Sequence, residues 1–108
     1  MSTISTHVLD TSLGKPAAGV RVAFEQDDGH AIAASATDAD GRIASFDAGE
    51  IAPGSYRLRF DSAEYFTKTN RAVFYPEVVV AFRIEAGDEH FHIPLLLSPF
   101  GYSTYRGS

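Results

Sequence analysis

The chain of 108 residues contains no cysteine. That absence removes disulfides, thiolate metal sites and a cysteine nucleophile together, and it leaves no sign of an oxidising compartment. Long hydrophobic runs are missing too. The run over residues 93–97 is interrupted by Pro94 and falls far short of the roughly 18 to 20 residues that span a bilayer, so no membrane partner is expected. Basic residues are scarce: nine Lys and Arg stand against 14 Asp and Glu, a net charge of −5. The field of such a chain repels polyanions, and nucleic acid is not an expected partner. The opening residues lack the basic and apolar regions of a secretory leader, which makes a cytoplasmic location the default expectation. No Gly-x-Ser-x-Gly elbow, Walker loop, dinucleotide fingerprint, internal repeat or linker appears.

What is present is an ordinary globular composition, 44% apolar and 21% charged, expected to form a single domain over residues 1–108. Apolar and polar residues alternate at period two, the pattern of strands with one face on a core. Val20, Val22 and Phe24 oppose Arg21, Ala23 and Glu25, while Tyr56, Leu58 and Phe60 oppose Arg57, Arg59 and Asp61. Val78, Val80, Phe82 and Ile84 form a third stripe, and Phe91, Ile93, Leu95 and Leu97 a fourth. Weaker strands are expected over residues 4–9, 31–37, 43–46 and 102–106. Turn signals separate them at 14–16, 27–29, 38–41, 53–54 and 86–88. One short helix is expected over residues 61–68, with Asp61 or Ser62 as its cap. The architecture expected from this pattern is all-β, an antiparallel β-sandwich with one short helix.

Four histidines are the only side chains that titrate near neutrality unaided, and so the natural starting point for acid–base chemistry. On the strand whose core stripe is Phe91, Ile93, Leu95 and Leu97, His90 and His92 share the opposite face. Periodicity leaves the direction of His7 open, and His30 sits in a turn as a solvated residue. A His-x-His pair can be half of a zinc site, but no cysteine or suitably spaced carboxylate completes one, so no metal is expected. Arg42 follows a turn, where its guanidinium could grip a carbonyl-bearing or anionic ligand or simply neutralise Asp38 or Asp40. The run 100–108 alternates aromatics with hydroxyls and reads as a docked tail, not a frayed one.

Taken in order, Ser5-Thr-His-Val-Leu-Asp-Thr11, Gly14-Lys-Pro-Ala17, Asp40-Gly-Arg42, His90-Phe-His-Ile-Pro-Leu-Leu-Leu-Ser-Pro99 and Tyr102-Ser-Thr-Tyr-Arg-Gly-Ser108 resemble the 5-hydroxyisourate hydrolase branch of the transthyretin family. The resemblance runs from the first strand to the last residue. It implies a prealbumin-like sandwich of two four-stranded sheets, assembled as a homotetramer (a dimer of dimers) with sites at the dimer–dimer interface. It also implies hydrolytic opening of 5-hydroxyisourate without metal or organic cofactor. Matched motif by motif, it assigns His7, Arg42 and His92 as catalytic residues, with Ser103, Tyr105, Arg106 and Ser108 around the substrate. Asp38 stands where the family often has Asn and could pull on Arg42, and Phe91 replaces a common Tyr. Two other readings remain at this point: a transthyretin-like small-molecule carrier, and a noncatalytic module of the carboxypeptidase-regulatory type, supported only by the middle of the chain.

Overall fold

A computed structural model describes residues 2–85 and 89–108; the turn expected at 86–88 lies outside the described residues. The elements in order are β1 (Thr3–Asp10), β2 (Lys15–Pro16), β3 (Arg21–Gln26), β4 (Ala31–Ala36), β5 (Arg42–Ile43), β6 (Gly54–Phe60), α1 (Ser62–Lys68), β7 (Val78–Ile84), β8 (His90–Ser98) and β9 (Gly101–Thr104). Two sheets pack face to face, as the alternation predicts. One has the order β4-β3-β6-β7 and is antiparallel throughout. The other has the order β2-β1-β8-β9, with β5 also paired to β1.

The second sheet departs from a purely antiparallel plan at its centre, where β1 and β8 run parallel from Thr3 beside His90 to Asp10 beside Leu97. A tight hairpin forces antiparallel pairing, but these strands are separated by most of the chain, so no local turn dictates their relative direction. Period-two patterning carries no information about it either.

The core lies between the sheets, with Phe24 and Phe60 facing Val8, Leu95 and Leu97, all fully buried. Each such side chain contributes about 1.5–3 kcal/mol on leaving water. Phe24 anchors an aromatic group with Phe46, Tyr56 and Phe82 at centroid separations of 6.0, 5.4 and 6.2 Å.

Several expectations are corrected. Of the strand expected at 43–46, only Ile43 pairs, together with Arg42; the chain then leaves the sheet so that Phe46 can pack on Phe24. Lys15–Pro16 was expected as a turn and instead forms an edge pair with Leu9 and Asp10, a place where proline's missing N–H costs nothing. The final strand covers Gly101–Thr104, and the tail rejoins β8 through a bridge between Gly107 and His92. The helix sits where expected, and Asp61 occupies its cap position without a side-chain cap bond. Its carboxylate accepts instead from Arg59 Nη1 at 2.9 Å.

Two carboxylates are buried where alternation alone would expose or ignore them. Glu25 accepts from Arg57 Nε at 2.8 Å and Arg59 Nε at 3.0 Å. Asp10, fully buried, accepts from Ser12 at 2.6 Å and Tyr65 at 2.7 Å, and both guanidinium Nη atoms of Arg71 donate to it. The second cluster ties α1 and the segment after it to the end of β1.

Candidate active site

The parallel pair β1–β8 builds the site. Because Ile4, Thr6 and Val8 turn into the core, as do Phe91, Ile93 and Leu95 on the neighbouring strand, the alternate residues Thr3, Ser5 and His7 share the outer face with His90, His92 and Pro94. Register places Ser5 beside His92 and His7 beside Pro94. On the other side of β1, Arg42 stands directly opposite His7. On the other side of β8, Ser103 stands opposite Leu96. The Gly107–His92 bridge continues that same register, so Tyr105 and Gly107 fall on the outer face with Ser103. The direction of His7, open from periodicity, is thereby settled.

Arg42 reaches this place through a tight turn. Asp38 Oδ1 accepts the backbone N–H of Asp40 at 2.9 Å and of Arg42 at 3.0 Å, so the carboxylate is engaged with the turn's own backbone. Gly41 has φ +75°, and a Cβ there would lie 2.5 Å from the Val8 carbonyl oxygen. Only glycine combines that conformation with that approach. The Gly41 carbonyl accepts from Val8 N at 2.7 Å, pinning the turn to β1.

The imidazoles are held by hydroxyls. Ser5 Oγ is 2.7 Å from His92 Nδ1 and 2.8 Å from His90 Nε2, and Thr3 Oγ1 is 2.5 Å from His90 Nδ1. Ser5 is 6% exposed although it lies on the outer face, because the two rings cover it. Burial, the positive charge of Arg42 and the neighbouring His7 and His90 all hold the His92 imidazolium pKa below its usual value. A neutral ring at physiological pH follows, with Nε2 left to meet water or a ligand. Among the described residues, no three His, Asp or Glu side chains converge as a metal site requires.

The tail residues divide. Gly107 donates its N–H to the His92 carbonyl at 2.8 Å and crosses the imidazole itself. Ser103 and Ser108 are exposed. Arg106 is not brought to the histidines: its guanidinium lies 4.9 Å from the Phe91 ring centroid and pairs with Glu89 at 3.0 Å. With the 59%-exposed Tyr105 it lines a cavity of about 300 Å³ that also touches Phe82 and Ile93. A larger groove of about 480 Å³ lies on the other sheet, lined by Arg21, Ala34 and Arg59 among others and by no histidine.

Sequence reasoning gave no role to Ser5, His90 or Gly107. The available signal was a pair of hydroxyls at period two, Thr3 and Ser5, matching the period of His90 and His92; it becomes meaningful only once the strands are known to be neighbours in this register.

Comparison with known proteins identifies the family and the fold. Residues 4–107 match the family model described as HIUase/Transthyretin family. A 5-hydroxyisourate hydrolase from Salmonella dublin is 48% identical over 109 residues, covering 97% of this chain and 80% of its relative. The solved structure of a Klebsiella pneumoniae 5-hydroxyisourate hydrolase superposes with a TM-score of 0.90 at 40% identity, covering 98% of this chain and 99% of the other. Sea bream transthyretin, solved in complex with thyroxine, gives 0.86 at 32% identity, covering 96% and 93%. The polar, histidine-bearing sheet and the docked tail therefore sit on a sandwich whose lineage is clear: the chain belongs to the HIUase/transthyretin family.

Proposed function

We propose that this protein hydrolyses 5-hydroxyisourate to 2-oxo-4-hydroxy-4-carboxy-5-ureidoimidazoline, a step of urate degradation, without cofactor or metal. The reading rests on the relatives that carry this activity by name. The single observation that carries it in this chain is that His7, Arg42 and His92 share one sheet face. His92, kept neutral by its surroundings, takes a proton from water as the oxygen attacks a ring carbonyl. Arg42 holds that carbonyl and offsets the charge developing on its oxygen. His7, directly beside Arg42, is the second acid–base group at the ring. Ser103, Tyr105 and Ser108 form the wall, and Arg106 supports the tail from the inner side by its position on Phe91. Positioned acid–base groups supply about 10²–10⁴-fold, enough for a labile ring amide.

A cytoplasmic homotetramer is part of the proposal, with the histidine face covered by a second dimer. The edge strands β7 and β9 and the exposed Phe74, Tyr75, Phe100 and Tyr102 offer the remaining contact surface. A full-activity monomer by light scattering overturns this assembly. A carrier role, suggested by the likeness to transthyretin, is disfavoured by three imidazoles and a guanidinium on the face in question. The deciding experiment generates 5-hydroxyisourate in place with urate oxidase and follows its absorbance. Decay accelerated by this protein supports the hydrolase, and decay at the uncatalysed rate sinks it.

A further inference from the structure

We infer that Ser5 and His90 form a proton relay that sets and switches the tautomer of His92, with Thr3 as its solvent end. The inference rests on the hydrolase reading above and adds Thr3, Ser5 and His90 to it. Its basis is the unbroken chain Thr3 Oγ1, His90, Ser5 Oγ, His92, with successive separations of 2.5, 2.8 and 2.7 Å.

A serine hydroxyl has one proton, and here it faces a ring nitrogen on each side. With both rings neutral it donates to one and accepts from the other. The chain therefore has two ordered states. In one, His92 Nδ1–H donates to Ser5, Ser5 donates to His90 Nε2, and His90 Nδ1–H donates to Thr3; His92 Nε2 is then bare and basic. In the other, every proton has moved one place, and His92 Nε2 carries a hydrogen it can give away. The depressed pKa of His92 favours the neutral ring this switching needs at that position. The groups that face His92 and bear on its charge are Arg42 from β5, His7 from β1 and His90 from its own strand.

The steps balance. As water attacks, His92 Nε2 accepts the water proton while Nδ1 releases its own to Ser5. Ser5 passes its hydrogen to His90 Nε2, and His90 Nδ1 releases a proton through Thr3 to solvent. When the ring C–N bond breaks, the nitrogen takes the Nε2 proton of His92, and one proton returns along the same path. The net transfer is from water to the ring nitrogen, and no charge stays on the half-buried His92 imidazole at either stage. His90, exposed at the far end, gives the relay its outlet. Ser5 and His90 touch no substrate in this scheme and are positioning residues.

The test compares wild type with Ser5→Ala, Ser5→Thr and His90→Gln, using steady-state kinetics and long-range proton–nitrogen NMR of the imidazole rings. In Ser5→Ala, kcat falls by about tenfold or more, a part of the acid–base contribution, while KM stays within about twofold. The His92 nitrogen shifts move, and Ser5→Thr restores both readouts. His90→Gln also moves the His92 shifts, although it leaves Ser5 in place. Wild-type kcat with unmoved His92 shifts in Ser5→Ala overturns the relay, and so does a loss of kcat with unmoved shifts. If Ser5→Ala does not fold, His90→Gln decides: moved His92 shifts in it support the relay, and unmoved shifts overturn it. Failure of the wild type to open 5-hydroxyisourate counts against the hydrolase reading alone, because the NMR comparison needs no turnover.

Discussion

Gly107 lies against the imidazole of His92 so closely that a Cβ built on it would stand 2.5 Å from Cδ2 and 3.2 Å from Cγ. The ring has little room to give, since its Nδ1 is held by Ser5 on the other strand. Gly107→Ala should therefore push the imidazole aside without unfolding the sandwich. The expected outcome is a kcat lower by about 10²-fold, the cost of a roughly 1 Å misplacement, with the thermal midpoint nearly unchanged. Wild-type kinetics in this variant would show that the tail does not position the ring.

The titration of His92 gives a second prediction. Burial first, then Arg42, His7 and His90, hold its pKa below the usual 6.5. Because the neutral ring is the base, kcat/KM should persist on the acid side of that value and decline only as the pH drops through the lowered pKa. Replacing Arg42 by Met removes one opposing charge, so the His92 resonance should titrate at higher pH in NMR. An identical titration in both proteins contradicts the electrostatic account.

Stability at low pH should be governed in part by Asp10. Burial pushes its carboxyl up, but hydrogen bonds from Arg71, Ser12 and Tyr65 and the charge of Arg71 outweigh that and hold it far below its ordinary 3.8. A carboxylate depressed in the folded state contributes stability that is complete above the unfolded value and is lost as pH falls toward the folded one. Arg71→Ala leaves the buried charge without its partner, at a cost of about 3–5 kcal/mol, and its acid unfolding should begin at higher pH. Urea titrations across the pH range measure both effects; equal midpoints for the variant and wild type at neutral pH would refute them.

Gly41 sets the fourth expectation. Alanine there must adopt φ +75° and meet the Val8 carbonyl oxygen, and such backbone strain costs about 1–3 kcal/mol. The turn should relax by lifting away from β1 and carrying Arg42 with it, so a lower urea midpoint accompanies a raised KM. A stable variant with an unchanged KM would separate Arg42 from substrate holding.

The strand faces were legible where an inward stripe stands against a charged outer face, as in residues 56–61. Burial of Glu25 was not, since a charge on an outward face is covered only when its neighbours fold over it, and Arg57 and Arg59 come from another strand. His7, Arg42 and His92 were reached through motif resemblance; their common face followed only from the registers of three strands. The tail motif named Ser103, Tyr105, Arg106 and Ser108 together, yet alternation sends Tyr105 and Arg106 to opposite sides of the ladder, with Arg106 on Phe91. The contact between Ser5 and His90 was not legible, because a hydroxyl and an exposed imidazole 85 positions apart give no sign of being neighbours.

The side-by-side alignment of β1 and β8 bears on biogenesis. During translation, Ser5 and His7 leave the ribosome long before the strand that will complete them, and 87 positions separate Thr3 from His90. Contacts of such long range are slow to close, so nascent chains must wait with one edge of this central strand unmatched, vulnerable to wrong partners. Activity should appear only after release of nearly the entire polypeptide, and ribosome-stalled intermediates lacking the last two strands should be inert and dependent on chaperones.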